Sequence, residues 1–270
     1  AHDFTASIIC AVSAQKIPVI SHIHNNCPWL KKICLKTLAY GMTCFKYKYM
    51  LGVSDSVFEE FIFGRFFDKK EKIVGNPISV ELIRRKTDGS NSGEEYDIAF
   101  LGRLSEQKNP LKYIEIINDI QCEMPVKAVM IGDGELREIV EEKIQELGLE
   151  EIINLKGFLE NPYEILQKCK VLCMPSRWEG FGLAAVEALA LGVPVVATEV
   201  GGLPGIIDES CGKLCDSKET FVEEIGSLLS DSELYRKKIS GANKRAEELD
   251  NIDQYISDMI NVYKNCGVII

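Results

Sequence analysis

Two glutamates, Glu179 and Glu187, stand on either side of the turn Gly180-Phe181-Gly182, with seven residues between them. The turn follows a short apolar run and opens an alanine-rich stretch with helical composition. Carboxylates accept hydrogen bonds from paired hydroxyls, as on a ribose or a hexose. The spacing therefore predicts that the two side chains hold opposite ends of one hydroxyl-rich ligand. The alternative is that both are ordinary solvated residues.

The start of the helix at this turn adds a preference for anions. The first backbone N–H groups of a helix lack partners, and the helix dipole places partial positive charge there. Such an end binds phosphate or another anion. Gly180 and Gly182 would let the ligand approach the backbone closely. The expected ligand thus carries both hydroxyls and phosphate.

Two cations follow an earlier apolar strand, in the loop GRLSEQKNP. Arg103 stands just past the strand and Lys108 just before the next helix. A diphosphate suits such a pair, because arginine offers a planar fork and lysine a point charge. The alternative is two exposed loop cations without a ligand.

A second glycine turn, Gly132-Asp133-Gly134, also follows a strand and opens a helix. It resembles a dinucleotide fingerprint, but Arg137 stands where the third glycine belongs. The chain contains no Gly-Lys-Ser/Thr sequence, which excludes a P-loop. The motif alone is weak evidence.

Strands and helices alternate along the chain, which predicts an α/β fold with doubly wound parallel sheets. Ligands of such sheets bind at the carboxyl ends of the strands. Strands are predicted at 18–23, 49–54, 71–75, 96–101, 126–131, 152–155, 171–174, 193–197 and 212–214. Helices are predicted at 5–12, 30–39, 55–61, 111–119, 135–147, 162–168, 182–191, 218–229, 232–249 and 253–264.

The segment 84–95, RRKTDGSNSGEE, has the composition of a linker and divides the chain. We predict a first domain over 1–85 and a second over 95–250. The chain carries a net charge of −10, which argues against general nucleic-acid binding. Residues 31–50 nevertheless hold five lysines and no acid. This segment could contact an anionic membrane or an acidic acceptor, or could be a solvated helix face.

Ten cysteines are scattered along the chain, several of them inside apolar runs, as Cys10 and Cys173 are. Their spacings do not match zinc motifs, so no metal site is expected. Unpaired cysteines favour a reducing cytoplasmic location. The first residues do not form a signal peptide, and no apolar run is long enough for a membrane span.

The chain resembles the GT-B glycosyltransferases, specifically the retaining glycosyltransferase family 4. The resemblance covers about 95–210 and is weaker upstream. Its motifs are FLGRLSEQKNP (100–110), MIGDGELR (130–137), NLKGFLENPYEIL (154–166), PSRWEGFGLAAVEALALGVPVVATEVGGLPGII (175–207), HIHN (22–25), GVSDSV (52–57) and IVGNPI (73–78). By this comparison the first Rossmann-like domain is incomplete, and residues 251–270 form a helix that packs back on it.

The resemblance implies transfer of a sugar from a nucleotide-sugar, with UDP as the expected nucleotide, and without a metal or other cofactor. Arg103 and Lys108 would bind the diphosphate, Glu179 the donor sugar and Glu187 the ribose. His24 would lie near the anomeric centre, although His22 competes for that role. The remaining donor contacts would come from Gly102, Gly132, Gly157, Phe158, Gly180, Phe181, Gly182 and Leu183.

The acceptor is expected to be a saccharide or a lipid-linked molecule in cell-surface polysaccharide or glycolipid synthesis. The chain would then work in the cytoplasm, with peripheral contact to the inner face of the membrane through residues 31–50. Three alternatives remain open: a donor-binding half-enzyme that needs a partner chain, a nucleotide-sugar epimerase, and a membrane-surface binding module.

Overall fold

A computed structural model describes residues 1–14, 16–87 and 94–268. The chain forms two units. The first comprises Ala1–Ile78, Trp178–Phe181 and the segment from Asn251 onward, and the second comprises Ser79–Arg177 and Gly182–Asp250. The division therefore lies after residue 78, not after residue 85 as predicted. The predicted linker 84–95 falls partly outside the described residues.

The boundary between the units lies before the predicted one because helix α4, Val80–Arg85, belongs to the second unit. The Arg84 guanidinium donates to the Ala190 carbonyl at 2.8 Å and pairs with Glu247 at 2.6 Å. Both partners belong to the second unit, so α4 packs there.

The first unit contains a three-stranded parallel sheet in the order β1-β2-β3. Its strands are β1 (Val19–Ile23), β2 (Tyr47–Gly52) and β3 (Glu71–Ile73). Its helices are α1 (Asp3–Ser13), α2 (Leu35–Cys44), α3 (Ser56–Glu59) and α11 (Ile252–Asn265). Short 3₁₀ turns lie at Pro28–Lys31, Gly64–Phe66 and Asp68–Lys70.

The two faces of this sheet have separate cores, because side chains alternate along a strand. In β2, Met50 belongs to the cluster that also contains Phe4 and Tyr40 of α1 and α2. Leu51 instead packs with Val74 and with Val262 of α11. Helix α11 thus covers one sheet face of the first unit.

The single helix predicted over 30–39 is wrong. The structure has a 3₁₀ turn at Pro28–Lys31 and then α2, which begins at Leu35. Thr37 closes this break by accepting a hydrogen bond from the Cys34 backbone N–H at 3.2 Å. Leu30 is buried while Ile33 is exposed, so the residues expected on one helix face separate.

The second unit contains a six-stranded parallel sheet in the order β6-β5-β4-β7-β8-β9. Its strands are β4 (Tyr96–Leu101), β5 (Ala128–Ile131), β6 (Ile153–Gly157), β7 (Cys169–Met174), β8 (Val195–Thr198) and β9 (Gly212–Cys215). Its other helices are α5 (Pro110–Glu123), α6 (Arg137–Glu146), α7 (Tyr163–Leu166), α8 (Leu183–Ala190), α9 (Lys218–Ser230) and α10 (Ser232–Leu249), with a 3₁₀ turn at Leu203–Gly205.

The strand order reverses between β4 and β7, which creates a switch point at their carboxyl ends. The central strands are nearly continuous apolar runs because helices cover both faces of such sheets. Tyr113 of α5 is fully buried beneath the sheet, and its hydroxyl donates to the Ile98 carbonyl at 3.0 Å. The loops after β4, β5 and β6 therefore begin at strands that belong to a packed core.

The cysteines differ in environment. Cys173 is fully buried, whereas Cys10, which also lies in an apolar run, is exposed on α1. The described cysteines are all free thiols. None of the helices in the described part of the chain is long and apolar enough to span a membrane.

Candidate functional site

Three glycines form a shelf at the carboxyl edge of the second sheet. Gly102, Gly132 and Gly157 follow or end β4, β5 and β6, and the Gly132 N–H donates to the Gly157 carbonyl at 2.8 Å. A Cβ at Gly132 would collide with the Gly102 carbonyl oxygen. Gly132 also has a φ of 142°, which disfavours other residues. The backbone here is bare, as binding of a ligand at close range requires.

Both predicted cations lie in the loop after β4. The Lys108 methylene groups lie against Gly102, 3.4 Å from the position of a Cβ there. The Arg103 side chain is exposed and pairs with Glu135 at 3.1 Å. Exposed ion pairs contribute little to stability, so the Arg103 guanidinium can exchange this partner for an anionic ligand at low cost.

Helix α8 begins as the turn predicts. Gly182 is its N-cap, with a φ of 110°, and Leu183 is its first residue, with a half-exposed side chain. A Cβ at Gly182 would lie 2.6 Å from the Leu203 side chain, so glycine is required on two grounds. No side chain at position 182 therefore covers the start of α8.

The Glu187 carboxylate lies one turn inside α8 and accepts a hydrogen bond from the Tyr163 hydroxyl at 2.9 Å. Burial raises the pKa of Glu187, while the Tyr163 hydrogen bond and the charges of Lys86 and Lys108 oppose the rise. Lys108, the predicted phosphate cation, therefore acts electrostatically on Glu187, the predicted ribose carboxylate.

Phe158 follows Gly157 and leaves most of its side chain, 76%, exposed. The guanidinium of Arg137 lies beside Gly157, with Nη1 3.2 Å from the position of a Cβ. Arg137 is held there by ion pairs with Asp133 at 3.2 Å and Glu141 at 2.8 Å. An exposed aromatic ring beside a bare backbone turn suits a flat base.

Glu179, Gly180 and Phe181 belong to the first unit, apart from the rest of their motif. Glu179 is 4% exposed, which contradicts the alternative of a solvated loop residue. A Cβ at Gly180 would collide with the His24 carbonyl oxygen, and the Ser54 hydroxyl donates to the Gly180 carbonyl at 2.6 Å. The predicted sugar-binding turn therefore lies against the predicted acceptor-side histidine.

Phe181 packs against the same core cluster as α1 and α2 and lies 3.5 Å from the Cβ position of Gly75. His24 stands after β1, and its imidazole is 2.8 Å from that of His2. The competing residue His22 is buried within β1. His24, which is partly exposed, is thus the more accessible of the two.

Sequence reasoning missed the residues that position this site. Tyr163, Ser54 and Arg137 each contact a predicted site residue, as described above. Tyr163 and Ser54 lie inside the motifs that carried the resemblance, but nothing in the spacing predicts their hydrogen bonds. Those contacts join positions far apart in the chain, so only the fold shows them.

Residues 83–245 match the model of a protein family described as Glycosyl transferases group 1, which is more than half of the chain. The chain belongs to this family. One relative is the Campylobacter jejuni GalNAc-alpha-(1->4)-GalNAc-alpha-(1->3)-diNAcBac-PP-undecaprenol alpha-1,4-N-acetyl-D-galactosaminyltransferase, 29% identical over 91% of this chain and 68% of its own length.

A second C. jejuni relative is N-acetylgalactosamine-N,N'-diacetylbacillosaminyl-diphospho-undecaprenol 4-alpha-N-acetylgalactosaminyltransferase. It is 30% identical over 68% of this chain and 51% of its own length. The chain thus spans about half to two thirds of these relatives.

Solved structures share the fold. Anabaena HepE in complex with UDP and glucose superposes with a TM-score of 0.84 at 18% identity, over 97% of this chain and 76% of that one. The pneumococcal O-GlcNAc transferase GtfA in complex with UDP and GlcNAc gives 0.79 at 20% identity, over 96% and 54%. The α/β fold with two parallel-sheet domains is therefore the GT-B fold.

Proposed function

We propose that the chain is a retaining glycosyltransferase of family 4 that moves a sugar from a UDP-sugar to a saccharide or lipid-linked acceptor. The observation that carries the proposal is that Lys108 packs against Gly102 of the glycine shelf while its charge opposes the rise in the pKa of Glu187. That edge offers one cation, one carboxylate and bare backbone to a single ligand. UDP in the HepE and GtfA structures supports the choice of nucleotide.

In this proposal Lys108 and Arg103 bind the diphosphate and stabilise the charge that develops on the leaving UDP. Two cations can do this without a metal ion. Glu187 holds the ribose hydroxyls, and Phe158 with Gly157 borders the base. The backbone of Gly182 and Leu183 adds N–H groups at the start of α8.

The resemblance assigns the sugar-side roles to residues that belong to the first unit. Glu179 accepts from donor sugar hydroxyls, and the backbone of Gly180 and Phe181 lines the same turn. His24 lies beside this turn and would act near the anomeric centre. The Gly180 backbone lies so close to the His24 carbonyl oxygen that a side chain at position 180 would separate the turn from His24.

The acceptor class follows from two observations. The C. jejuni relatives are named for undecaprenol-linked saccharide acceptors. In addition, α1 and α2 expose large apolar side chains beside the lysines of residues 31–50, which suits a lipid surface. We therefore propose that the chain acts in the cytoplasm, at the inner face of the membrane, in the synthesis of cell-surface polysaccharide or glycolipid.

A transfer assay tests the proposal. The chain would be incubated with UDP-GalNAc, UDP-GlcNAc or UDP-glucose and with undecaprenyl-diphosphate-linked saccharides, in EDTA, and the product examined by NMR. We expect one donor to give an α-linked product from its α-linked sugar. Lys108→Ala should lower kcat about 100-fold or more while UDP affinity changes less. A β-linked product, or full activity without Lys108, would contradict the proposal.

A further inference from the structure

All three histidines of the 270-residue chain lie in one cluster in the first unit. His22 is within β1, and His24 follows two positions later, on the same side of the extended chain. His2 joins them through a parallel bridge to His22, in which the His22 N–H donates to the Ala1 carbonyl at 2.8 Å. The backbone thus brings three imidazoles together.

The geometry of the cluster is close to that of a metal site. The ligand nitrogens of His2, His22 and His24 all lie within 4.8 Å of one another. His2 Nδ1 and His24 Nε2 are 2.8 Å apart, and the ring centroids of His22 and His24 are 4.2 Å apart. Three nitrogens at 2.0–2.1 Å from a tetrahedral zinc ion lie about 3.3 Å from one another. Small side-chain rotations would therefore converge the three rings on one ion.

The His22 ring is 3% exposed. Within the described part of the chain, neither its Nδ1 nor its Nε2 has a hydrogen-bond partner. Buried polar atoms without partners are unfavourable and rare in proteins. An imidazole nitrogen without a partner keeps a lone pair that can bind a metal ion.

Asp3 holds the backbone beside the histidine cluster, and a cavity lies next to it. Asp3 Oδ1 accepts from the His24 backbone N–H at 2.9 Å and so fixes the chain beside the cluster. A cavity of about 270 Å³ is lined by His2 and His22 together with Leu51 and Tyr263. It leaves room for a water or another small ligand in a fourth position.

We propose that His2, His22 and His24 form a three-histidine site for a divalent transition metal ion such as Zn²⁺. Three imidazoles with an open fourth position suit zinc, cobalt and nickel. The ion would be bound by the lone pair of a His24 ring nitrogen, which would then be engaged with the metal. A further consequence, which rests on the proposed function, is that occupancy lowers sugar transfer by withdrawing His24 from the acceptor side.

The test is a cobalt titration of metal-stripped chain, followed by visible absorption and then displacement with zinc. We expect one Co²⁺ per chain, with the intense bands of tetrahedral coordination. Because even outer-shell partners contribute about 10- to 100-fold in metal affinity, loss of a direct ligand should weaken binding by about 100-fold or more. Variants His2→Ala, His22→Phe and His24→Ala test the three ligands.

Cysteine variants provide the matched control. Cys10 and Cys27 lie in the same unit and could bind cobalt as thiolates, so Cys10→Ser and Cys27→Ser should leave the titration unchanged. Circular dichroism checks the fold of each variant, and His2→Ala, whose side chain is exposed, removes a ligand without opening the core.

Absence of cobalt binding would overturn the site, as would unchanged binding in His2→Ala or His24→Ala. Loss of binding in the cysteine variants would assign the ion to thiolates instead. The titration contains no nucleotide, so its failure is separate from a failure of the proposed donor site.

Discussion

The Glu187 carboxyl is partly buried, and its charge state depends on the Tyr163 hydroxyl. Loss of this hydroxyl in Tyr163→Phe should raise the pKa of Glu187 further. A protonated carboxyl accepts hydrogen bonds less well from a ribose, so UDP affinity should fall as the pH falls through this pKa. We expect the fall to begin at higher pH in Tyr163→Phe than in the unchanged chain.

Calorimetric titrations with UDP between pH 5 and pH 8 would measure this effect. Glu187→Gln is the control, because it cannot titrate and should show weak affinity without the pH-dependent fall. Identical pH profiles in Tyr163→Phe and the unchanged chain would exclude the contact of Glu187 with the nucleotide.

A second carboxyl, that of Glu71 in β3, has a raised pKa that makes stability depend on pH. Burial, then the nearby charge of Asp68, raise its pKa to about 7 from an ordinary value of 4.5. The folded state thus holds this proton more tightly than the unfolded state does. Stability contributed by the protonated carboxyl is therefore present below about pH 4.5 and is lost as the pH rises towards 7.

Glu71→Gln removes this loss, so the variant should gain stability relative to the unchanged chain as the pH rises from 5 to 8. We expect a relative gain of about 1 kcal/mol, since the carboxyl is partly exposed. Urea denaturation at both pH values would measure it. The exposed Glu223→Gln serves as control, and a gain that is equal at pH 5 and pH 8 would refute the assignment.

At the element scale, whether a helical glycine can be replaced by alanine depends on how closely that position approaches another backbone. In α10, a Cβ at Gly241 would collide with the Ser210 carbonyl oxygen, whereas the space around Gly226 of α9 is open. Gly241→Ala should lower the free energy of unfolding by about 1–3 kcal/mol. Gly226→Ala should raise it by up to about 1 kcal/mol through helix propensity. Urea denaturation distinguishes them, and stabilisation by both changes would contradict the packing of α10.

The sequence predicts elements best where the pattern is simple. Strands β4 to β9 are apolar runs between polar loops, and each was predicted to within about two residues at either end. The helix over 30–39 failed because its periodicity includes Ile33, which the structure leaves exposed. Helix α4 was missed because it is held by Arg84 contacts to residues far along the chain.

The candidate site shows the same limit. Glycine turns and loop cations follow from local sequence, and the resemblance assigns their expected roles. The contact of Gly180 with His24, the hydrogen bond of Tyr163 to Glu187 and the approach of His2 to His24 are non-local. Neither residue type nor spacing encodes such pairs, since the tertiary fold alone brings them together.

At the scale of the whole molecule, one surface of the first unit combines exposed apolar side chains with lysines. The α1–α2 face exposes Val12, Leu35 and Met42, each at least 69% exposed, next to Lys32 and Lys36. Apolar side chains bordered by lysines suit an anionic bilayer. We expect the chain to sediment with vesicles that contain phosphatidylglycerol and not with neutral phosphatidylcholine vesicles.

Charge reversal tests this face. Lys32→Glu with Lys36→Glu should abolish sedimentation, whereas Lys237→Glu with Lys244→Glu, on α10, makes the same charge change and should leave it intact. Leu35→Glu with Met42→Glu should also weaken binding. If both double lysine variants lost vesicle sedimentation equally, overall charge would explain the attraction, and the α1–α2 face would not be the membrane-binding surface.

In the proposed donor site, the second unit binds UDP without a metal, through Glu187 and the cations after β4. The decisive measurement is a calorimetric titration of the chain with UDP in EDTA, repeated with GDP and with Glu187→Ala. We expect UDP binding at one site, weaker binding of GDP, and a loss of about 10-fold or more in UDP affinity for Glu187→Ala. Absence of UDP binding, or equal affinity in Glu187→Ala, would contradict it.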